Sequence, residues 1–181
     1  MCKNMIPFAH AKNIFEVEIS FFKSHNISYL LLDLDNTLDS YKQALPSERV
    51  IEFIDNLRKN DITPIIISNN RGKRVKIYSE TLGIEYLPNA GKPFPSKLIA
   101  YLKSKNISND VTMMVGDQMA TDIRVGNGAK LKTILVDKIV KEDQIQTRIN
   151  RFFEKPFRRS AAKKGKLIDW RNKYGEIKKS S

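Results

Sequence analysis

Residues 27–37 read Ile-Ser-Tyr-Leu-Leu-Leu-Asp-Leu-Asp-Asn-Thr, a short apolar run that ends abruptly in acid. The run has the length of a β-strand that is buried on both faces, as the central strands of a parallel sheet are. Asp33 and Asp35 stand two residues apart at the point where this strand should end. The stretch therefore predicts a buried strand that delivers two carboxylates to one edge of a sheet.

The alternation of apolar runs with amphipathic stretches continues along the chain. Four further apolar runs predict strands at residues 62–67, 84–87, 111–115 and 131–136. Apolar residues at helical spacing predict helices over residues 46–57, 73–82, 95–105, 121–127 and 142–153. Strands that alternate with helices form a parallel sheet, because right-handed crossovers place the helices on its two faces. We therefore expect an α/β fold with a parallel sheet of about five strands.

Polar residues follow the predicted strands at the points where they end. Ser68 follows the second strand, Lys92 comes shortly after the third, and Asp117 comes shortly after the fourth. Ligands of parallel α/β sheets bind beyond the carboxyl ends of the strands. We therefore expect these side chains to line one edge of the sheet together with Asp33 and Asp35.

The composition limits the class of protein. With 181 residues, of which 41% are hydrophobic, the chain can build one domain with its own core but not two ordinary domains. The single cysteine, Cys2, excludes an internal disulfide, and together with His10 and His25 it cannot supply four zinc ligands. No apolar run reaches the length of a signal peptide or of a transmembrane helix. We expect a cytoplasmic protein that could associate peripherally with a membrane.

The formal net charge is +12, and it is concentrated at the C-terminal end. Residues 158–181 contain nine Lys or Arg residues against Asp169 and Glu176, a net charge of +7. We expect a single domain over residues 1–157 and a basic tail over residues 158–181. Such a tail favours anionic partners such as phospholipid surfaces, RNA or acidic proteins, although a solvated terminus is an equal alternative.

Asp33 and Asp35 can take different chemical roles, since one carboxylate points into the crevice while the other lies in the loop that follows. A carboxylate that attacks a phosphate monoester needs a cation nearby, because both groups are negatively charged. Asp33 and Asp117 could hold that cation, and oxygen ligands favour Mg²⁺. Asp35 would protonate the leaving oxygen and then deprotonate the water that hydrolyses an aspartyl-phosphate. For an isolated Asp-x-Asp, a cap or a loop acid is the more common interpretation.

Three further side chains could assist this chemistry. The Ser68 hydroxyl could donate to a phosphoryl oxygen, although a serine in this position often caps the next helix. Lys92, in the turn Gly91-Lys92-Pro93, could balance negative charge, although a single lysine is usually a surface residue. Asp122 could orient Lys92 or a metal-bound water, or it could be an acid that stabilises the first turn of a helix.

These segments together resemble the haloacid dehalogenase (HAD) phosphohydrolases over residues 27–137. Asp33-Leu34-Asp35-Asn36-Thr37 matches the first motif of that family, D-x-D-x-T. The other three motifs are matched in order by Ser68, by Lys92 and by Gly116-Asp117 with Asp122. More narrowly, the chain resembles the YqeG type of subclass IIIA, which is related to phosphatidylglycerophosphate phosphatases, at Ser68-Asn69-Asn70, Lys92-Pro93, Gly116-Asp117-Gln118 and Thr121-Asp122.

The resemblance implies a Rossmann-like core, Mg²⁺ and an aspartyl-phosphate intermediate. It implies that the catalytic residues are Asp33 and Asp35, and that the metal ligands are Asp33, Asp35 and Asp117. The phosphate would be bound by Ser68, Asn69 and Lys92, with Asp122 and Thr37 in supporting positions. The implied activity is that of a phosphate monoester hydrolase, with phosphatidylglycerophosphate as the favoured substrate and phosphatidylglycerol as the product.

The spacing of the motifs predicts an active site without a large cap domain. Residues 36–67 provide only 32 positions between the first two motifs, and residues 69–91 provide only 23 between the second and third. A helix and a strand use most of each gap, which leaves no room for a folded cap of ordinary domain size. Small substrates are usually enclosed by a pocket, so an open site favours a phosphate on something large.

Two other functions are compatible with this sequence. The first is a phosphatase that acts on nucleic-acid ends or on phosphoproteins, because a charge of +12 suits RNA as well as lipid. The second is a basic protein that binds RNA or ribosomes and merely keeps the fold. A binding protein would not need Asp33, Asp35 and Asp117 together, which favours the enzyme.

Overall fold

The computed structural model describes residues 3–139 and 155–179, and its centre is a six-stranded sheet in which all neighbouring strands are parallel. The strands are β1 (Ala9–Ala11), β2 (Tyr29–Leu32), β3 (Thr63–Ile67), β4 (Glu85–Leu87), β5 (Thr112–Gly116) and β6 (Lys132–Val136). Their order across the sheet is β1-β6-β5-β2-β3-β4. The predicted α/β fold with a parallel sheet is confirmed, and β1 is an additional short edge strand that the sequence did not predict.

Helices cover both faces of the sheet. They are α1 (Ile19–Ser24), α2 (Glu48–Lys59), α3 (Lys73–Leu82), α4 (Ser96–Ser104), α5 (Arg124–Gly128), α6 (residues 155–163) and α7 (Trp170–Lys179). Buried residues of α1, α2 and α3 share one core, and those of α4 and α5 share another. The helix predicted over residues 142–153 lies outside the described residues.

The predicted helix over residues 121–127 differs in detail from the structure. The segment Met119–Ile123 is a π-helical turn, and α5 follows it directly. Single π-helical turns are rare and occur frequently at functional sites. The turn begins two residues after Asp117, so the irregular geometry lies beside one of the predicted site residues.

Strand β2 lies at the centre of the sheet, between β5 and β3. Its side chains alternate between the two cores, with Leu30 and Leu32 packed on one face and Leu31 on the other. Because every position is covered, the strand is an apolar run rather than an alternating one. The chain continues from β2 to β3 and β4 on one side, and later to β5 and β6 on the other. The boundary between β2 and β5 is therefore the point where the direction of winding changes, which is where such sheets bind ligands.

The basic C-terminal segment packs against the sheet layers in its described part. Ala161 of α6 is buried against Met119 and Ile123 of the π-helical turn. Trp170 of α7 is buried, and its ring centroid lies 5.7 Å from that of Phe21 in α1. These contacts hold both helices to the domain, while the proposed division of the chain at residue 157 stays a prediction.

The gaps between the first three motifs hold no cap domain. One helix, α2, connects β2 to β3, and one helix, α3, connects β3 to β4, and all residues of both connections are described. The carboxyl edge of the central strands is therefore not covered by an inserted domain. Separately, no helix within residues 3–139 or 155–179 combines the length and the apolar character needed to cross a bilayer.

Candidate active site

A buried lysine connects two carboxylates at the carboxyl edge of the sheet. The Lys92 ammonium donates to Asp33 Oδ1 at 2.5 Å and to Asp122 Oδ1 at 2.7 Å. It also donates to the main-chain oxygen of Ile67 at 3.1 Å, at the end of β3. All three charged residues are buried. The structure therefore brings together predicted site residues from three separate strand ends.

Burial and charge act in opposite directions on this group. Burial alone would lower the pKa of Lys92, but the carboxylates of Asp122 and Asp33 outweigh it, so the pKa of Lys92 is raised. Burial raises the pKa of Asp122 above its ordinary value, although the charge of Lys92 opposes this. Lys92 therefore remains a cation at neutral pH and holds a fixed positive charge next to Asp33.

Asn69 fixes the main chain of Lys92. Its side-chain amide donates to the Lys92 carbonyl oxygen at 2.8 Å, and its side-chain oxygen accepts from the Lys92 amide at 2.8 Å. Both polar atoms of the Asn69 side chain are thus used across a gap of 23 residues. The predicted role of Asn69 in binding phosphate stays a prediction, and its contact with Lys92 is a role that the sequence analysis missed.

Ser68 is buried at the end of β3, and its hydroxyl oxygen accepts from the main-chain amide of Asn70 at 3.0 Å. Helix α3 has its N-cap at Gly72, four residues later, so Ser68 does not cap that helix. This removes the structural alternative that the sequence left open. The predicted contact of Ser68 with phosphate stays a prediction, and its position at the site edge agrees with that role.

Three carboxylates lie close enough together to hold a metal ion. Oxygen atoms of Asp33, Asp117 and Asp122 lie within 4.8 Å of one another, and all three residues are buried. Buried carboxylate oxygens suit a hard divalent cation. Thr37 supports this group, because its hydroxyl donates to Asp33 Oδ2 at 3.1 Å. The carboxylates of Asp33, Asp117 and Asp122 therefore fit a divalent cation.

The membership of this cluster differs from the predicted ligand set. Among the residues that the structure describes, the cluster contains the carboxylate of Asp122 and not that of Asp35. Asp122 reaches the site because Gly116 has no side chain: a Cβ atom at Gly116 would overlap the side chain of Asp122. The Gln118 amide also donates to Asp122 Oδ2 at 3.1 Å. The proposed metal contact of Asp35 stays a prediction.

Asp35 lies at the rim of the site and has a different cation. Its carboxylate forms an ion pair with Arg74, on the first turn of α3. Burial and the nearby charge of Asp33 raise the pKa of Asp35, while Arg74 opposes the shift. A carboxyl group with a raised pKa is suited to giving and accepting a proton. The direct contact of Arg74 with Asp35 was not predicted from the sequence.

Exposed apolar side chains lie on three connections that leave this edge of the sheet. Leu45 lies in the loop after β2, Phe94 lies two residues after Lys92, and Ile139 follows β6; their exposed fractions are 55%, 66% and 44%. The loop of Ile139 is attached to the site, because the Ile139 amide donates to the Asn36 carbonyl oxygen at 3.2 Å. Three connections that leave the carboxyl edge therefore each present an apolar side chain to solvent.

A basic helix lies beside the same edge. Helix α6 is held there by Ala161, as described above, and by an ion pair between Arg158 and Asp137, which follows β6. Its exposed face carries the basic side chains Lys155, Arg159 and Lys163, and the exposed Lys164 follows the helix directly. The described part of the basic C-terminal segment thus contributes positive charge next to the site.

The sequence is similar to a family model and to a known protein. A family model described as HAD-hydrolase-like matches residues 89–150. A Bacillus subtilis protein described as "Probable phosphatase YqeG" is 32% identical over 168 residues, which cover 93% of this chain and 97% of that protein. The match extends through all four motif regions and therefore covers the whole site.

Two solved structures share the fold. One is described as "putative 3-deoxy-D-manno-octulosonate 8-phosphate phosphatase from Vibrio cholerae". It is 18% identical with a TM-score of 0.54, and the match covers 71% of this chain and 78% of that one. The other is an uncharacterized protein from Listeria monocytogenes serotype 4b, 14% identical with a TM-score of 0.51, covering 66% of this chain and 86% of its own.

Proposed function

The chain belongs to the haloacid dehalogenase (HAD) hydrolases, in the family of the YqeG protein, and we propose that it is a Mg²⁺-dependent phosphate monoester hydrolase with Asp33 as its nucleophile. The predicted family membership is confirmed. One observation carries the proposal: a buried carboxylate, Asp33, is held by Lys92 and Thr37, and Asp35 stands two residues further on at the rim. Nucleophile and proton carrier thus come from one loop.

Asp33 performs the first chemical step. Lys92 and Thr37 each contact one of its two oxygens, so the orientation of the carboxylate is fixed before a substrate arrives. A carboxylate oxygen attacks phosphorus, the bond from phosphorus to the ester oxygen breaks, and an aspartyl-phosphate forms. The ammonium of Lys92 balances negative charge as the phosphoryl group approaches.

Asp35 carries the proton in both half-reactions. Its raised pKa favours the protonated form, which gives a proton to the departing ester oxygen. In the second half-reaction a water attacks the aspartyl-phosphate, and the Asp35 carboxylate takes a proton from that water. Inorganic phosphate leaves, and the carboxylate of Asp33 is restored.

The metal site would be formed by Asp33 and Asp117, with Asp122 beside them. We assign it to Mg²⁺ because all the candidate donors are carboxylate oxygens. When bound, the ion would neutralise part of the charge on the phosphoryl group and on the carboxylate that attacks it. Asp35 is the further ligand that the family resemblance implies.

The substrate that we propose is a phospholipid with a terminal phosphate monoester, specifically phosphatidylglycerophosphate. Three features support a large, membrane-borne substrate: the described connections between the first three motifs hold no cap domain, loops that leave this edge carry exposed apolar side chains, and the basic helix α6 lies next to it. Basic side chains near an anionic leaflet contribute about 1 kcal/mol each to binding. The proposed product is phosphatidylglycerol.

A substrate panel tests the activity and the substrate separately. Purified protein with Mg²⁺ is given phosphatidylglycerophosphate in mixed micelles, soluble monoesters, RNA with a terminal phosphate and a phosphopeptide, and released phosphate is measured. We expect the fastest release from the lipid and background release from Asp33→Asn. Asp55→Asn, an equivalent change on the exposed face of α2, should retain the wild-type rate.

Each outcome has a separate meaning. If wild type and Asp33→Asn release equal amounts of phosphate from every monoester, the phosphatase assignment is wrong. If soluble monoesters are hydrolysed faster than the lipid in micelles, the lipid substrate is wrong while the enzyme class stands. Faster release from RNA ends or from the phosphopeptide would replace the lipid with that substrate.

A further inference from the structure

Arg74 connects Asp35 to the loop that follows β2. Its side chain forms the ion pair with Asp35, donates from Nη2 to the Ser40 carbonyl oxygen at 3.0 Å, and donates from Nε to the Gln43 carbonyl oxygen at 2.8 Å. The guanidinium group is a planar fork with donors in fixed directions, so one side chain can satisfy three separate acceptors. A lysine has a single nitrogen, whereas these three acceptors contact three different nitrogens of Arg74.

The same helix fixes this loop at a second point. Tyr78, one turn after Arg74 on α3, donates to Asp39 Oδ2 at 2.5 Å, and the Ser47 amide donates to the same oxygen at 2.9 Å. The guanidinium carbon of Arg74 also lies 5.7 Å from the centre of the Tyr78 ring. The orientation of Asp35 therefore depends on α3, an element outside the loop that carries it.

The two acids of the first motif thus form ion pairs with different cations. Lys92 holds Asp33 in the buried part of the site, and Arg74 holds Asp35 at the rim, where the side chains of Arg74 and Asp35 are 17% and 26% exposed. Because both side chains of the Arg74–Asp35 pair are partly exposed, the pair lies on the side of the site that solvent reaches. A bulky leaving group would have to depart toward that side.

We propose that Arg74 is a positioning residue that holds Asp35 in the orientation from which it transfers the proton to the leaving group. This inference rests on the proposed phosphatase function. It has a specific consequence, because protonation matters most for a poor leaving group and little for a good one. Loss of Arg74 should therefore slow the hydrolysis of alkyl phosphates far more than that of an activated aryl phosphate.

The test compares two substrates in several variants. The ratio kcat/KM is measured for glycerol phosphate and for 4-nitrophenyl phosphate with Mg²⁺ in wild type, Arg74→Met, Arg74→Lys and Asp35→Asn. We expect Arg74→Met to lose about 100-fold on the alkyl ester and only a few-fold on the aryl ester, since a small misplacement of a reacting group can cost that much. Arg74→Lys keeps the charge but not the fork and should restore only part of the loss.

The matched control is Lys76→Met, which removes one positive charge from the exposed face of the same helix. It should leave the kcat/KM ratio of the two substrates unchanged. In the Asp35→Asn background, Arg74→Met should add no further dependence on the leaving group, because the proton carrier is already absent.

The inference fails if Arg74→Met and Arg74→Lys slow both esters equally while Asp35→Asn discriminates between them. It also fails if the additional effect of Arg74→Met persists in the Asp35→Asn background. If Arg74→Met does not give a cooperative thermal melt, Arg74→Lys and Arg74→Gln replace it. The same comparison of kcat/KM for the alkyl and the aryl ester then tests the inference. An inactive wild type would instead contradict the phosphatase proposal itself.

Discussion

Asp33 and Asp35 are the same residue type in the same loop, yet they lie in two different surroundings. Asp33 is buried and contacts Lys92 and Thr37, and it shares a cluster with two other acids. Asp35 is half-buried and contacts an arginine from a helix on one face of the sheet. The inner part of the site is therefore charged and closed, while its rim is partly open to water.

This difference shows that neighbouring elements, rather than the motif itself, divide the roles of the two acids. Lys92 comes from the connection between β4 and α4, and Asn69 holds its main chain in place. Arg74 comes from α3, which is anchored separately. A change in one cation should therefore affect one acid strongly and the other weakly.

The largest effect should follow from removing the inner cation. Lys92→Met leaves the carboxylates of Asp33 and Asp122 buried together without the ammonium group that neutralises them. Breaking a buried ion pair in this way costs about 3–5 kcal/mol of unfolding free energy. Arg74→Met breaks a pair that water still reaches and should cost about 1 kcal/mol. Urea denaturation in the presence of a chelator measures both. Equal losses in the two variants would contradict the division into a closed interior and an open rim.

The next largest effect should come from the close approach at Gly116. In Gly116→Ala the new methyl group overlaps the side chain of Asp122, so that acid has to move away from Lys92 and from the metal cluster. Overpacking of this kind costs about 1–3 kcal/mol. We expect lower stability in urea and a weaker stabilisation of the protein by added Mg²⁺ than in wild type. Unchanged stabilisation by Mg²⁺ would show that Asp122 is not needed near the ion.

Much of this site could be predicted from the sequence, for a physical reason. Apolar strands that end in polar residues are local features, and the parallel sheet brings their ends together without further information. This placed Asp33, Ser68, Lys92 and Asp117 at one edge. The resemblance to a known family added the roles.

The contacts that orient these residues could not be predicted in the same way. Arg74 is one of 32 Lys and Arg residues, and its partner Asp35 lies 39 positions away. Asn69 contacts the main chain of Lys92. Any residue type has these main-chain atoms, so the contact cannot be recognised from the side chains around position 92. Strand β1 has only three residues, with a polar His10 at its centre, so it lacks the apolar run that revealed the others.

A smaller effect is expected at the outermost part of the rim. The double variant Leu45→Ser with Phe94→Ser removes two exposed apolar side chains beside the site, and about tenfold weaker binding to phosphatidylglycerol vesicles is expected from the lost apolar area. Ile51→Ser with Ile77→Ser removes two comparably exposed side chains from α2 and α3 and is the control. Co-sedimentation with vesicles measures both. If the control weakens binding as much, or if RNA displaces the vesicles completely, the rim is not a membrane contact.

The smallest effect concerns pH and separates the two acids most directly. The pKa of Asp35 is raised above its ordinary value of 3.8 by burial and by Asp33, so the folded protein binds this proton more tightly than the unfolded chain does. Its contribution to the unfolding free energy therefore falls as the pH rises above 3.8. Asp35→Asn cannot titrate, so it should gain stability relative to wild type as the pH rises above that value. Asp55→Asn, on an exposed helix face, is the control. A relative loss of stability in Asp35→Asn over this range would mean that Arg74 outweighs both burial and Asp33.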